Sequence, residues 1–328
     1  MSIKITREKP ILIDALPRLI ARLPENYPRK DELGLTQQLY NIEAGFSGET
    51  KVDRYLELIE LPESSIVLTN VQLSLAPGHS FQIDTLILAK QFILILEIKN
   101  ITGELYFETD PHQLRQIKLN GDEAIMECPI TQLLAAIESL KVWLAKKGFN
   151  YEIFGQIVLA NRKAAVKVAP SNAPILHLKR LSIYLREQAE KSPIFTTVEL
   201  SRMKELIVRN QSNYQTYPLC DYFKINPNIL KRGQLCSRCN NSMDYQSHKQ
   251  RYCRHCNMSE PNNYRQSIQD WFMLISPSLS NRQCKYFLQL KNRDDAYYAI
   301  KSMQLNKVGK SVATKYYWPK GRPFKIIK

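Results

Sequence analysis

Residues 81–100, FQIDTLILAKQFILILEIKN, constrain the fold of this chain more than any other stretch. Phe81–Ala89 and Phe92–Lys99 are apolar runs separated by Lys90-Gln91, which predicts adjacent strands joined by a short turn. Runs this apolar belong in a sheet covered on both faces. Yet Gln82, Asp84, Glu97 and Lys99 lie inside them. Side chains alternate along a strand, so Gln82 and Asp84 point one way together, as do Glu97 and Lys99. A buried charge is costly unless it is paired or binds a metal. Two acids and a lysine at one end of a buried hairpin therefore call for a chemical reason.

The flanking sequence supplies a domain around that hairpin. Ser65–Leu75 reads as a strand entering it through Pro77-Gly78, and Thr102-Gly103 leads into a further strand near Glu104–Phe107. Before them, Gly34–Ala44 holds a short helix, Gly45-Phe46-Ser47-Gly48 reads as a turn, and a helix starts at Glu49 with Val52, Tyr55, Leu56 and Ile59 on its apolar face. Glu49 shares that face; a carboxylate opening a helix is also stabilised by the macrodipole alone. Residues 108–128 are polar and show no clear period. Leu133, Leu134, Ile137, Leu140 and Leu144 mark a helix, and Tyr151–Ala160 one more strand. The expected boundaries are an N-terminal extension (1–36), a mixed α/β domain (37–169) and a helical connector (170–231). Thr196 and Glu199 form a capping-box pattern within the connector.

Asp84, followed after twelve residues by Glu97-Ile98-Lys99, has the spacing of a D…ExK metal site. Phosphodiester hydrolysis needs a divalent ion to stabilise developing charge and to activate water. Mg²⁺ takes oxygen ligands from one or two carboxylates, here Asp84, Glu97 and the main-chain carbonyl of Ile98. Lys99 would orient the attacking water, Glu49 would add a ligand, and Gln82 would position the substrate by hydrogen bonding. A salt-bridged structural Glu–Lys pair is the plain alternative for the same residues. Gly48-Glu49, Phe81-Gln82-Ile83-Asp84, Glu97-Ile98-Lys99-Asn100 and Gly103 together resemble the nuclease-related domain (NERD) family. Pro129 and Gln132 match its Pro-x-x-Gln pattern, and Gln113-Leu114-Arg115 falls where relatives carry a polar, substrate-side motif. The resemblance implies the PD-(D/E)xK, restriction-endonuclease-like core: a helix, a mixed central sheet and a covering helix. It also implies Mg²⁺- or Mn²⁺-dependent nuclease activity, although that superfamily includes inactive binding members.

Further on, Cys236-Ser-Arg-Cys239 and Cys253-Arg-His-Cys256 are two C-x-x-C knuckles, the pattern of a closed structural zinc site; a redox dithiol pair is the alternative. The module (232–262) resembles topoisomerase-type zinc ribbons. Charge is segregated in the same direction. Residues 201–328 hold 23 Lys and Arg against 7 Asp and Glu, whereas the first 200 hold 23 against 24. Such asymmetry points to a nucleic-acid partner for the C-terminal part, DNA or RNA, ahead of an anionic membrane surface or a merely basic exterior. Arg232, Arg238, Lys249, Arg251 and Arg254 are the phosphate-contact candidates, and Tyr245 and Tyr252 the stacking candidates. A basic, aromatic tail (263–328) completes the chain. No segment approaches the roughly 20 apolar residues of a membrane helix, and Lys4, Arg7, Glu8 and Lys9 break any signal pattern, so the expectation is a cytoplasmic protein.

Overall fold

A computed structural model describes residues 4–27, 32–211, 217–247, 249–319, 322 and 324. In chain order, α1 (Leu12–Arg22) and α2 (Leu35–Leu58) precede β1 (Ile66–Ala76), β2 (His79–Ala89), β3 (Phe92–Lys99), β4 (Gly103–Thr109), β5 (His112–Ile117) and β6 (Glu123–Glu127). Then come α3 (Pro129–Ala145), β7 (Ile153–Leu159), β8 (Ala164–Val168), β9 (Ile175–His177), α4 (Leu181–Ala189) and α5 (Thr197–Asn210). The chain divides into two compact units, residues 1–9 with 43–214, and residues 10–42 with 215–328.

The first unit is the mixed α/β domain expected. Its central sheet has the order β1-β2-β3-β7-β9, antiparallel across β1, β2 and β3 and parallel from β3 to β9. Both faces are covered, which is why β3 is apolar almost throughout. Ile93 and Ile95 pack with Leu133, Leu140 and Trp143 of α3. Phe92, Leu94, Leu96 and Ile98 pack on the other face with Val52 and Leu56 of α2 and Leu181 and Leu185 of α4. Beside it stands a second, four-stranded sheet of order β6-β5-β4-β8.

Three expectations change here. Gly45–Gly48 is not a turn: α2 runs unbroken through it, so Glu49 sits in mid-helix, away from any N-terminal dipole. Gly48 is needed for close approach, because a Cβ there would lie 2.5 Å from the Cβ of Asn100. The polar stretch 108–128 forms β5 and β6: β5 buries Leu114 and Gln116 on one face, and β6 alternates exposed with half-buried side chains. Residues 170–210, read as a connector, pack on the domain: β9 pairs with β7, and Leu200, Met203 and Ile207 of α5 enter the core beside β1. The capping box of Thr196 and Glu199 is present.

The second unit gathers Leu16 and Leu19 of α1, Leu35 of α2, α6 (Leu219–Tyr222) and Met273 of α7 (Tyr264–Leu274) into one core. Before α7, β10 (Asp244–Tyr245), β11 (Gln250–Cys253) and β12 (Met258–Pro261) make a small antiparallel sheet. After it come β13 (Ser278–Leu279), α8 (Asn281–Phe287), α9 (Arg293–Lys301), β14 (Asn306–Val308) and β15 (Lys315–Tyr317). Residues 10–27 thus belong to this unit rather than extending the first. The end of the basic tail, 325–328 with 320, 321 and 323, lies outside the described residues. No described helix is long and apolar enough to cross a membrane.

Candidate active site

The hairpin opens where its charges lie. Pairing between β2 and β3 runs from Ala89–Phe92 to Thr85–Leu96 and stops one pair short of Asp84 and Glu97. There β3 has lost its backbone acceptor on β2, and the Asp84 carboxylate replaces it: Oδ2 accepts the Ile98 N–H at 2.8 Å. A residue's N–H and C=O leave a strand on the same edge, so the Ile98 carbonyl also faces this opening. Beyond β3, Gly103 takes φ +85° to start β4, and a Cβ there would fall 2.1 Å from the Ile117 carbonyl oxygen.

Alternation places Glu97 and Lys99 on the α3 face, with Ile93 and Ile95. Lys99 Nζ lies 2.8 Å from Glu97 Oε1 and donates to Gln132 Oε1 on α3 at 2.7 Å. Gln132 in turn donates to Glu127 Oε2 at 2.8 Å. Pro129 at the first turn of α3 starts the helix so that Gln132 reaches β3. Asp84 shares the face of Leu86 and Leu88. Burial, then the nearby Glu97 charge, push Asp84 up to about 7, against the Ile98 N–H and Lys99, which favour its anion. Among the described residues Asp84 Oδ1 and Glu97 Oε2 accept no hydrogen bond.

Glu49 is held differently. Its Oε2 accepts from Arg7 at 2.9 Å, and Arg7 also forks onto Asp53 at 2.7 and 3.0 Å. The same guanidinium donates to Asn70 Oδ1 at 2.7 Å and Thr85 Oγ1 at 2.8 Å. Burial raises Glu49 above the usual carboxylate range even though Arg7 pulls it down. Burial by itself would lower Arg7, but Asp53, Glu49 and Asp84 prevail and raise it. The sequence reading missed Arg7, Asp53, Asn70 and Glu127. Asn70 takes a left-handed φ of +49° in mid-strand. Gln82, expected beside Asp84, is exposed and pairs across β1 with Gln72. Among the described residues the four cysteines are the one group of three or more His, Cys, Asp or Glu side chains gathered closely enough to hold an ion.

Residues 44–160 match the nuclease-related domain, NERD. The NERD match spans Glu49 through β7 and leaves Arg7 outside it. A nuclease-related domain implies a divalent metal and interaction with nucleic acid. No curated protein and no solved structure matches the chain.

In the second unit, Cys236, Cys239, Cys253 and Cys256 bring their sulfurs within 4.8 Å of one another. The nearest pairs are 3.4 and 3.5 Å apart and no disulfide links them. Tetrahedral Zn–S bonds of about 2.3 Å set sulfur–sulfur edges of roughly 3.8 Å, so the donor set fits zinc. The cluster is consistent with a zinc ribbon on β10–β12, and exposed His255 stands outside it. Arg251 is a correction. It is 1 % exposed, and its guanidinium donates to Asn262 and Tyr264, so it holds the ribbon instead of facing phosphate. Tyr252 donates to Asn257, Arg232 stacks on Tyr286 at 4.3 Å, and Lys291 stacks on Tyr245 at 4.1 Å. Arg238 and Lys249 are exposed, as is Arg254 beside Asp244.

Proposed function

We propose that the first unit is a divalent-metal-dependent nuclease acting on DNA, with Asp84, Glu97 and Lys99 as its reacting constellation. The observation that carries this reading is the open end of the β2–β3 pair, where two carboxylates and a lysine converge on the α3 face. A repelling, half-buried acid pair with two uncommitted oxygens suits a hard cation. Asp84 Oδ1, Glu97 Oε2 and the Ile98 carbonyl would hold Mg²⁺ or Mn²⁺. Bound there, the ion would neutralise phosphate charge and lower the pKa of its water.

Lys99 is fixed by Glu97 and Gln132, so its third proton can orient the nucleophilic water or meet a non-bridging phosphate oxygen. Gln132, itself held by Glu127, sets where that ammonium stands. The zinc ribbon and the basic C-terminal region supply charge-driven affinity through Arg238, Lys249, Arg254 and Arg232, with Tyr245 and Tyr252 at its aromatic positions.

The deciding experiment incubates purified protein with Mg²⁺ or Mn²⁺ and linear, supercoiled or single-stranded DNA. Metal-dependent cleavage should fall at least about 100-fold in both Lys99→Ala and Asp84→Ala. No cleavage in any format, with DNA binding unchanged by either substitution, would leave a binding protein on a nuclease-like scaffold and sink the enzyme.

A further inference from the structure

Arg7 lies far from the motif in sequence, yet it is the most heavily committed side chain near the site. Its five hydrogen bonds reach Glu49, both oxygens of Asp53, Asn70 and Thr85, across 42 to 78 residues of chain. The side chain is only 3 % exposed. The segment leading into it is pinned at two points: the Ile5 N–H donates to Glu57 on α2, and Thr69 on β1 donates to the Thr6 carbonyl. This is a built contact. A guanidinium stays charged at any working pH and offers five donors in a rigid fork. It therefore satisfies two carboxylates in the way a metal would, without dissociating.

The consequence concerns how many ions the site accepts. Phosphodiesterases with two metals place them roughly 3.5–4 Å apart, bridged by several carboxylates. Asp84 and Glu97 keep free oxygens on the α3 face. On the α2 face, Glu49 Oε2 and both Asp53 oxygens are occupied by Arg7, which also donates to Thr85 and Asn70. We infer that Arg7 stands in place of a second cation, so that this site takes a single divalent ion and Glu49 is an arginine-held carboxylate rather than a metal ligand. The inference rests on the metal-dependent reading above and specifies it. Arg7 is a positioning residue: it fixes Glu49 and Asp53 and balances their charge beside the ion.

Mn²⁺ titration of the full-length, zinc-loaded protein, with free Mn²⁺ counted by electron paramagnetic resonance, tests it without reference to activity. Wild type should bind one Mn²⁺ per chain, and Asp84→Asn none. Glu49→Gln should leave the count at one, and so should Arg7→Lys, which keeps the charge. Arg7→Ala should admit a second, weaker ion that Glu49→Gln in the same background removes. Two ions in wild type, or loss of the single ion in Glu49→Gln, overturns the inference while leaving a metal nuclease standing. A folded Arg7→Ala protein that still binds one ion overturns it too. No ion in wild type, together with no cleavage, overturns both readings. If circular dichroism shows Arg7→Ala unfolded, wild type and Glu49→Gln decide alone.

Discussion

Asp84 carries an unusual electrostatic load for a strand residue. An ordinary aspartate titrates near 4, whereas burial and Glu97 push this one up to about 7 in the folded chain. The folded state therefore binds more protons than the unfolded chain between those values. Metal-free stability should fall as pH rises from about 4 to 7 and then level off. Glu49 is raised too and acts with the same sign. Asp84→Asn should flatten most of that slope in thermal melts taken with a chelator. A wild-type melting temperature that climbs across the same window would contradict the assignment. Around this residue, Glu97 and Lys99 were readable because ExK is local and a strand fixes which side chains share a face. Arg7 was not readable, since nothing between residues 7 and 49 announces that a cation from the amino terminus fills the acid cluster.

At the scale of elements, α2 and the Thr196–Glu199 segment teach opposite lessons. Two glycines, a phenylalanine and a serine at 45–48 carry the local signature of a turn, yet the helix continues through them. Packing overrides propensity because Gly48 lets α2 approach Asn100, whose Nδ2 donates to the Ala44 carbonyl at 2.8 Å. The cap of α5 needed no tertiary help: Thr196 Oγ1 accepts the Glu199 N–H, and Glu199 Oε2 accepts the Thr196 N–H. Just before it, the Ile194 and Phe195 N–H groups donate to the Lys90 carbonyl at the hairpin turn. Glu199 also accepts from Tyr151 at 2.9 Å. Thr196→Ala should thus cost about 1 kcal/mol in urea unfolding, leaving the far-UV spectrum unchanged. β5 and β6 stayed hidden because a one-sided strand with polar exposed positions has little apolar signal to read.

Across the whole molecule, the positive charge and the candidate chemistry fall in different parts of the sequence. Deleting everything after residue 230 would be a poor test of that segregation. It strips Met273 from the core around Leu16 and Leu19, and leaves buried Arg22 without Asp270, its partner at 2.7 Å. Substituting exposed cations is cleaner. Arg238→Gln, Lys249→Gln and Arg254→Gln combined should weaken DNA binding. The slope of log affinity against log salt should become shallower by about 0.9 for each phosphate that the protein no longer neutralises. Fluorescence anisotropy at several salt concentrations reads this directly. An unchanged slope would show that these cations do not touch phosphate.

The hairpin, the order of the core elements, the Asp84–Glu97–Lys99 set and the four cysteines all follow from the amino-acid sequence without its fold. Each depends on near neighbours: strand alternation, short spacings, or the pairing of two knuckles. Tertiary packing was needed to make α2 continuous, to complete the first unit with residues 175–210, and to turn Arg251 inward. It was also needed to make Glu49 answer to Arg7. Those outcomes depend on which distant surfaces meet, and a buried carboxylate takes whatever cation the fold brings within hydrogen-bond reach.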